Sequence, residues 1–265
     1  MPHEVGATQA LGHSLYSLGR YAEARAHYER VLAAQPESVE ALRGLALTHL
    51  RLGDGARALE LLERVVELRP EHADAFTWIA QIHFDEGRSE EARAACERAI
   101  ELDRAEPRPW FLLSAILGEA GDAPAAAEAR ARFEELSRLQ QELLALEGFL
   151  VQSPVNAPAL ARLVDVHVRR GDARGAEEAL ERLLALDPQS PGARILALDA
   201  LEALGDAEGA RRRALELEAQ CADSVEAWER LERYWAAVGD IARQVRAGER
   251  HRRMKADGAG GSGGR

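Results

Sequence analysis

The sequence predicts an all-α solenoid built from helix-turn-helix repeats, and three observations carry that prediction. Alanine contributes roughly fifty of the 265 residues and, with Leu, Glu and Arg, dominates a composition of strong helix formers in which strand-forming residues are sparse. Gly19, Gly53, Gly87 and Gly121 stand 34 residues apart, and Gly171, Gly205 and Gly239 resume that spacing after a gap of 50. Five positions beyond six of those glycines lies an alanine, at Ala24, Ala58, Ala92, Ala126, Ala176 and Ala210, where a small side chain lets two helices approach closely. A period of this length marks a chain whose units bury their apolar faces against their neighbours.

Each unit reads as helix A, a turn at the glycine, and helix B. The glycine supplies the left-handed residue that closes helix A. Asp54, Asp122, Asp172, Asp206 and Asp240 follow directly and suit the N-cap of helix B. Pro36, Pro70 and Pro188, each seventeen residues past its glycine, stop helix B because proline cannot continue a helix. About seven units result, at 5–38, 39–72, 73–106, 107–140, 157–190, 191–224 and 225–258, with sixteen residues inserted after the fourth. No Gly or Pro lies between Pro124 and Gly148, so helix B of repeat four is predicted to run to about Val151, roughly 28 residues or about 42 Å. Along it Leu136, Leu139, Leu143, Leu146 and Leu150 alternate at spacings of three and four, as in a coiled-coil seam. Two outcomes are open for this stripe: a homodimer or partner-helix surface, or packing against helix A of repeat five. The expected domains are a block of four repeats at 5–140, a helical insertion or half-repeat at 141–156, and a block of three at 157–258. The last helix caps that block, with Arg246, Arg250, Arg252 and Arg253 meeting water, and residues 259–265 form a flexible Gly-rich tail.

Composition also narrows function. A formal charge of −11, with arginines mostly interleaved among glutamates, disfavours nucleic-acid and anionic-membrane binding, because counterion release needs a large basic face. A protein partner is expected instead. No apolar run approaches the roughly 18 residues of a membrane span. The start, MPHEVGATQA, has neither a basic n-region nor an apolar h-region, so the expected location is cytoplasmic. Cys96 and Cys221 lie far apart, which argues against a disulfide framework or a zinc site. Cys96 is expected in the core, and Cys221, near an inter-repeat turn, nearer the surface. No phosphate-loop, nucleophile-elbow, HExxH, dinucleotide or EF-hand pattern occurs, so no catalytic residue, metal or cofactor is expected. His49, His83 and His167 share one repeat position, and a repeated position implies repeated packing rather than shared ligation.

The pattern resembles the tetratricopeptide repeat family, whose 34-residue unit carries W, L-G, Y, G, A, F and P at fixed offsets. Repeat one matches through Leu11, Gly12, Gly19, Tyr21, Ala24, Tyr28 and Pro36; Trp110 and Trp228 take the tryptophan position, which Leu42, Phe76 and Leu160 fill elsewhere. The resemblance implies a right-handed solenoid whose helices A line a concave groove. Repeat positions 2, 5, 9 and 12 then face a bound peptide: Gln9, His13 and Tyr16; Arg43, Leu47 and Leu50; Thr77, Gln81 and Phe84; and Arg108, Phe111 and Ala115. Such a floor suits a segment with hydrophobic anchors and a carboxylate, held by an Arg fork. In the C-terminal block Asp165, Asp199, Glu202, Glu226 and Glu229, with Arg162, Arg169 and Arg233, would favour a basic or polar segment. The family's chaperone-tail clamp is not matched, since its basic and asparagine positions hold Gln9, His13, Gly44, Asp74 and Trp78 in repeats one to three. In repeats two to four they hold Arg43, Leu47, Trp78, Arg108 and Leu112. Asn156 is the sole asparagine, so an asparagine ladder is excluded as well.

The leading expectation is therefore a non-catalytic scaffold that binds a peptide segment of a protein partner in its groove. The alternatives are a substrate-selecting accessory domain of a larger enzyme and a self-assembling structural protein that uses the leucine stripe.

Overall fold

A computed structural model describes residues 2–260. Among them the chain is an all-α solenoid of fourteen helices. Helices A are α1 (Pro2–Ser17), α3 (Val39–Arg51), α5 (Ala73–Asp85), α7 (Pro107–Glu119), α9 (Ala157–Arg170), α11 (Pro191–Ala203) and α13 (Val225–Ala237). Helices B are α2 (Tyr21–Ala34), α4 (Gly55–Leu68), α6 (Ser89–Leu102), α8 (Ala123–Gln152), α10 (Ala173–Leu186), α12 (Ala207–Gln220) and α14 (Ile241–Gly260). The expected Gly-rich tail therefore begins helical at 259–260, and 261–265 lie outside the described residues. No helix among the described residues is long and apolar enough to cross a membrane.

Every A-to-B turn is made the same way. Gly19, Gly53, Gly87, Gly121, Gly171, Gly205 and Gly239 hold φ between 73° and 83°, a region an L side chain rarely enters. The next N–H then returns to a carbonyl five residues back, as from Asp54 to His49 and from Asp172 to His167, which closes the helix end. Asp54, Asp122, Asp172, Asp206 and Asp240 each accept a backbone N–H three residues on, at 2.9–3.2 Å. Arg20 and Arg88 stand at the same position in repeats one and three and provide no side-chain cap.

The chain divides into two compact units within α8, between Ser137 and Arg138. In the N-terminal unit, helices A and B alternate in contact from α1 to α7, and the core runs from Leu15 and Tyr28 through Leu42 and Leu62 to Ile116. Tyr28 is buried between α1 and α3; a Cβ on Gly44 would sit 2.5 Å from its ring, so glycine there makes the room. Burial pushes the Tyr28 phenol up to about 12. In the C-terminal unit one core joins Leu139 and Leu143 of α8 to α9, α10 and α11, and a second gathers Leu217, Trp228, Leu231 and Trp235.

The leucine stripe goes inward. Leu136 and Leu139 are fully buried, Leu143 and Leu150 nearly so, and Leu146 is half-buried against the same core as Leu139. The stripe is thus not available to a second chain, because the packing of Leu139, Leu143 and Leu150 with Leu160 and Leu163 of α9 already removes it from water. Cys221 is likewise buried, not near the surface, since it packs in the cluster of Leu217, Trp228 and Leu231, and burial raises its thiol above the usual range. Cys96 is completely enclosed and pushed up to about 12.

Candidate functional site

The side chains expected to face a partner sit on helices A of the N-terminal unit. Their placement follows from the repeat: positions three and four apart on a helix share a face, and successive helices A bring those faces side by side. Three sets of cross-helix contacts stitch this face. Arg51 of α3 donates Nε–H to the Tyr16 hydroxyl of α1 at 3.2 Å. Arg43 of α3 donates to Asp74 of α5 at 2.6 Å. Arg108 of α7 reaches the other Asp74 oxygen at 3.9 Å and lies 4.0 Å over the Trp78 ring of α5.

Asp74 is the residue the groove reading left out, although it occupies position 2 of repeat three, the same position as Arg108 in repeat four. It stands between the two arginines and changes what they offer. Arg43 is largely engaged, with a short ion pair and a side chain 29% exposed. Arg108 is held at longer range, is 46% exposed, and has its guanidinium plane fixed by Trp78. One of the two cations is therefore matched within the chain, and the other faces outward.

The remaining side chains divide between the open face and the core. Phe111, one turn beyond Arg108, is 56% exposed, and its ring lies 5.2 Å from Phe133 of α8. Tyr16, Leu50 and Phe84 are half-buried against the core, and Gln9, Leu47 and Gln81 are half-buried as well. Gln81 donates to Asp85 at 2.8 Å within α5. His13 is exposed, and its Nδ1 lies 3.1 Å from the Tyr28 hydroxyl. Thr77 does not line the face. It is 3% exposed and its hydroxyl donates to the Ala73 carbonyl, because the turn of α5 rotates it toward its neighbours.

The three equivalent histidines make two different contacts. His49 and His167 are buried, and their Nδ1 atoms lie 3.2 Å and 2.8 Å from the capping Asp54 and Asp172. His83 has Arg88 where the others have aspartate, its Nδ1 is buried without a partner, and burial holds it below the ordinary imidazole range.

On helices A of the C-terminal unit the acidic residues are mostly matched. Arg230 of α13 pairs with both Asp199 and Glu202 of α11, and Arg162 of α9 pairs with Glu142 and Asp165. A backbone hydrogen bond, joined by the Ser224 hydroxyl at 3.0 Å, holds the Glu226 carboxyl below the usual range. The expected preference for a basic or polar segment loses the charges of Asp165, Asp199 and Glu202 to these arginines. Among the described residues no group of three His, Cys, Asp or Glu side chains is placed to hold a metal ion.

Two family models, each described as tetratricopeptide repeat, match the sequence: one at residues 10–70 and 45–107, the other at 157–200. Together these stretches cover more than half of the chain. Solved structures of similar fold include the thermophilic protein TTC0263 of Thermus thermophilus, 20% identical with a TM-score of 0.46, over 74% of this chain and 98% of that one. MamA from Desulfovibrio magneticus RS-1 is 18% identical with a TM-score of 0.47, over 70% and 96%. YrrB, described as having an unusual peptide-binding site, is 18% identical with a TM-score of 0.44, over 74% and 90%. No curated protein matches the sequence.

Proposed function

The chain belongs to the tetratricopeptide repeat family and is a protein-interaction scaffold, and from that premise we propose that the A-helix face of its N-terminal unit binds a peptide segment of a protein partner. The observation that carries this reading is the pairing of Arg108, half-exposed and stacked on Trp78, with Phe111, exposed one turn away. A planar guanidinium with a fixed orientation suits a carboxylate through two parallel N–H bonds, and an exposed ring beside it supplies apolar area at little conformational cost. Tyr16, Leu50 and Phe84 extend the apolar floor, while Gln9, His13, Leu47 and Gln81 supply its rim. Arg43 acts through Asp74: it fixes the carboxylate that in turn orients Arg108. The segment that fits carries a carboxylate close to an aromatic or leucine anchor. No catalytic step is assigned to the chain.

The test is selection of binders from a random peptide display library, followed by calorimetry with the selected peptides. Enriched sequences should carry an Asp, Glu or free C-terminus near a large apolar residue. The Arg108→Glu, Phe111→Ala variant, both positions being exposed, should keep its helicity and lose affinity by about 100-fold. Peptides that bind this variant as tightly as the original chain would place the site elsewhere.

A further inference from the structure

Each repeat has a side that its successor covers. In repeats one, two, three, five and six the residues at positions 8, 20, 24 and 27 are all buried, and helix B of each of these repeats touches the next helix A. Tyr28, at position 24 of repeat one, shows what does the covering: a Cβ on Gly44, in helix A of repeat two, would come within 2.5 Å of its ring. Repeat four departs from this pattern. Its next helix A starts at Ala157, sixteen residues later than the period places it. The four positions hold Ser114, Ala126 and Phe133, all half-buried, and Arg130, whose side chain is 74% exposed. Ala126, Arg130 and Phe133 fall within about 60° of one another around α8 at 3.6 residues per turn, so they form one line along the helix. Phe133 meets the exposed Phe111 of α7 at 5.2 Å. Repeat seven shows a polar alternative, with Glu232 and Gln244 at positions 8 and 20. Repeat four instead keeps an alanine and two aromatic rings along its open seam.

We infer that this seam takes an amphipathic α-helix of a protein partner, seated where helix A of a following repeat would lie, and that the segment bound at Arg108 and Phe111 is that helix. The inference rests on the reading of that face as a partner site and adds the conformation of what it binds. Three observations choose the occupant. The first is shape: the same four positions are covered in five other repeats with a helix A in contact, so a helix is the form that fits. The second is continuity, because Phe111 belongs both to the proposed face and to the seam. The third is charge. Arg108 is 46% exposed, and Arg130 is held by an exposed pair with Glu134 one turn along, an interaction weak enough to exchange for a partner's acid. The fitting helix therefore turns Ala, Leu or Met toward Phe111 and Phe133 and carries Asp or Glu on its flank. A second copy stacked end to end would present the outward side of α1, which exposes Gly6, Ala7, Ala10, Ser14 and Ser17 and no acid, so it does not answer these cations.

The test uses the peptides that the full chain selects from the display library. They should bind as helices: proline in place of a central residue should weaken binding about 100-fold or more, because it breaks the helix. An i,i+4 lactam that raises the helicity of the free peptide should tighten binding about 10-fold. Ser114→Glu with Ala126→Gln gives repeat four the residues of repeat seven; this variant should keep its helicity by circular dichroism and lose about 30-fold in affinity. Phe133→Ala should lose about 10-fold. Peptides that need Arg108 and Phe111 yet tolerate proline and bind the seam variants unchanged would overturn the helix and leave the face as a site for an extended segment. Peptides indifferent to Arg108→Glu, Phe111→Ala would remove the face reading, and this inference with it. A chain that dimerises in sedimentation equilibrium and is returned to monomer by Ser114→Glu with Ala126→Gln would assign the seam to a second copy and overturn the proposal.

Discussion

In the N-terminal unit one acid, Asp74, stands between two arginines; in the C-terminal unit one arginine, Arg230, stands between two acids. One pair in each unit, Arg43 with Asp74 and Arg230 with Asp199, has the same separation in sequence, 31 residues, and both bridge neighbouring helices A. The exposures differ. Arg230 is 13% exposed and its charge is used up inside the chain, whereas Arg108 is 46% exposed and keeps an outward fork. One repeat template thus yields a closed face and an open one through the sign and reach of a few long side chains. On helices A the aromatic residues differ as well, since Phe111 is exposed in the first unit while Trp228 and Trp235 are buried in the second.

The largest expected effect tests whether the units are separate cores. Leu62 and Leu198 are both fully buried, in different units, and either truncated to alanine should lose about 2–5 kcal/mol. Hydrogen exchange should then quicken in α3–α6 for Leu62→Ala and in α11–α13 for Leu198→Ala, because repeats couple chiefly to their neighbours. Equal loosening of both units by either variant would break the comparison at its root. Next comes the charge contrast. Arg230 is largely buried and serves two carboxylates that stay partly in water, so Arg230→Ala should destabilise by about 1–2 kcal/mol in urea melts. Arg43→Ala, at a more open ion pair, should lose under about 1 kcal/mol. Equal losses would show that the two faces are equally solvated.

Smaller effects sharpen the comparison at the turns. Arg88→Asp gives repeat three the cap and the histidine partner that Asp54 and Asp172 provide elsewhere, and should stabilise by about 0.5–1 kcal/mol; Asp54→Ala should remove about as much. The smallest expected effect is on pH dependence. His83 titrates below its ordinary 6.5 in the folded chain because burial opposes its charged form. As pH falls through that ordinary value the unfolded chain takes the proton first, so stability contributed by neutral His83 is present above it and is lost on acidification. His83→Gln should flatten the slope of stability against pH between about 7 and 5 in thermal melts, and an unchanged slope would assign the acid sensitivity to other groups.

The turns, the caps, the length of α8 and the burial of Cys96 were legible in the residues themselves. Each depends on groups within one turn of chain: a left-handed glycine, an aspartate reaching an N–H three residues on, a proline without a donor. The candidate face was legible in part, since repeat position locates a helix face to within about a third of a turn. That precision is enough to choose Arg108 and Phe111. It is too coarse at the edge of the face, where Thr77 rotates into the core.

By itself the sequence determined the all-α repeat and its family, because a 34-residue period of local signals is written residue by residue. Only the tertiary structure decided which charges are consumed and which apolar stripe is covered. Asp74 meets Arg43 and Arg108 across 31 and 34 residues, and Arg230 meets Asp199 and Glu202 across 31 and 28. The direction each side chain takes there depends on helix rotation and on flexible rotamers that no spacing encodes. The inward leucines of α8 and its outward Leu144, Phe149 and Val151 are equally apolar as letters. Which of them meets water was settled by the side on which α9 packs.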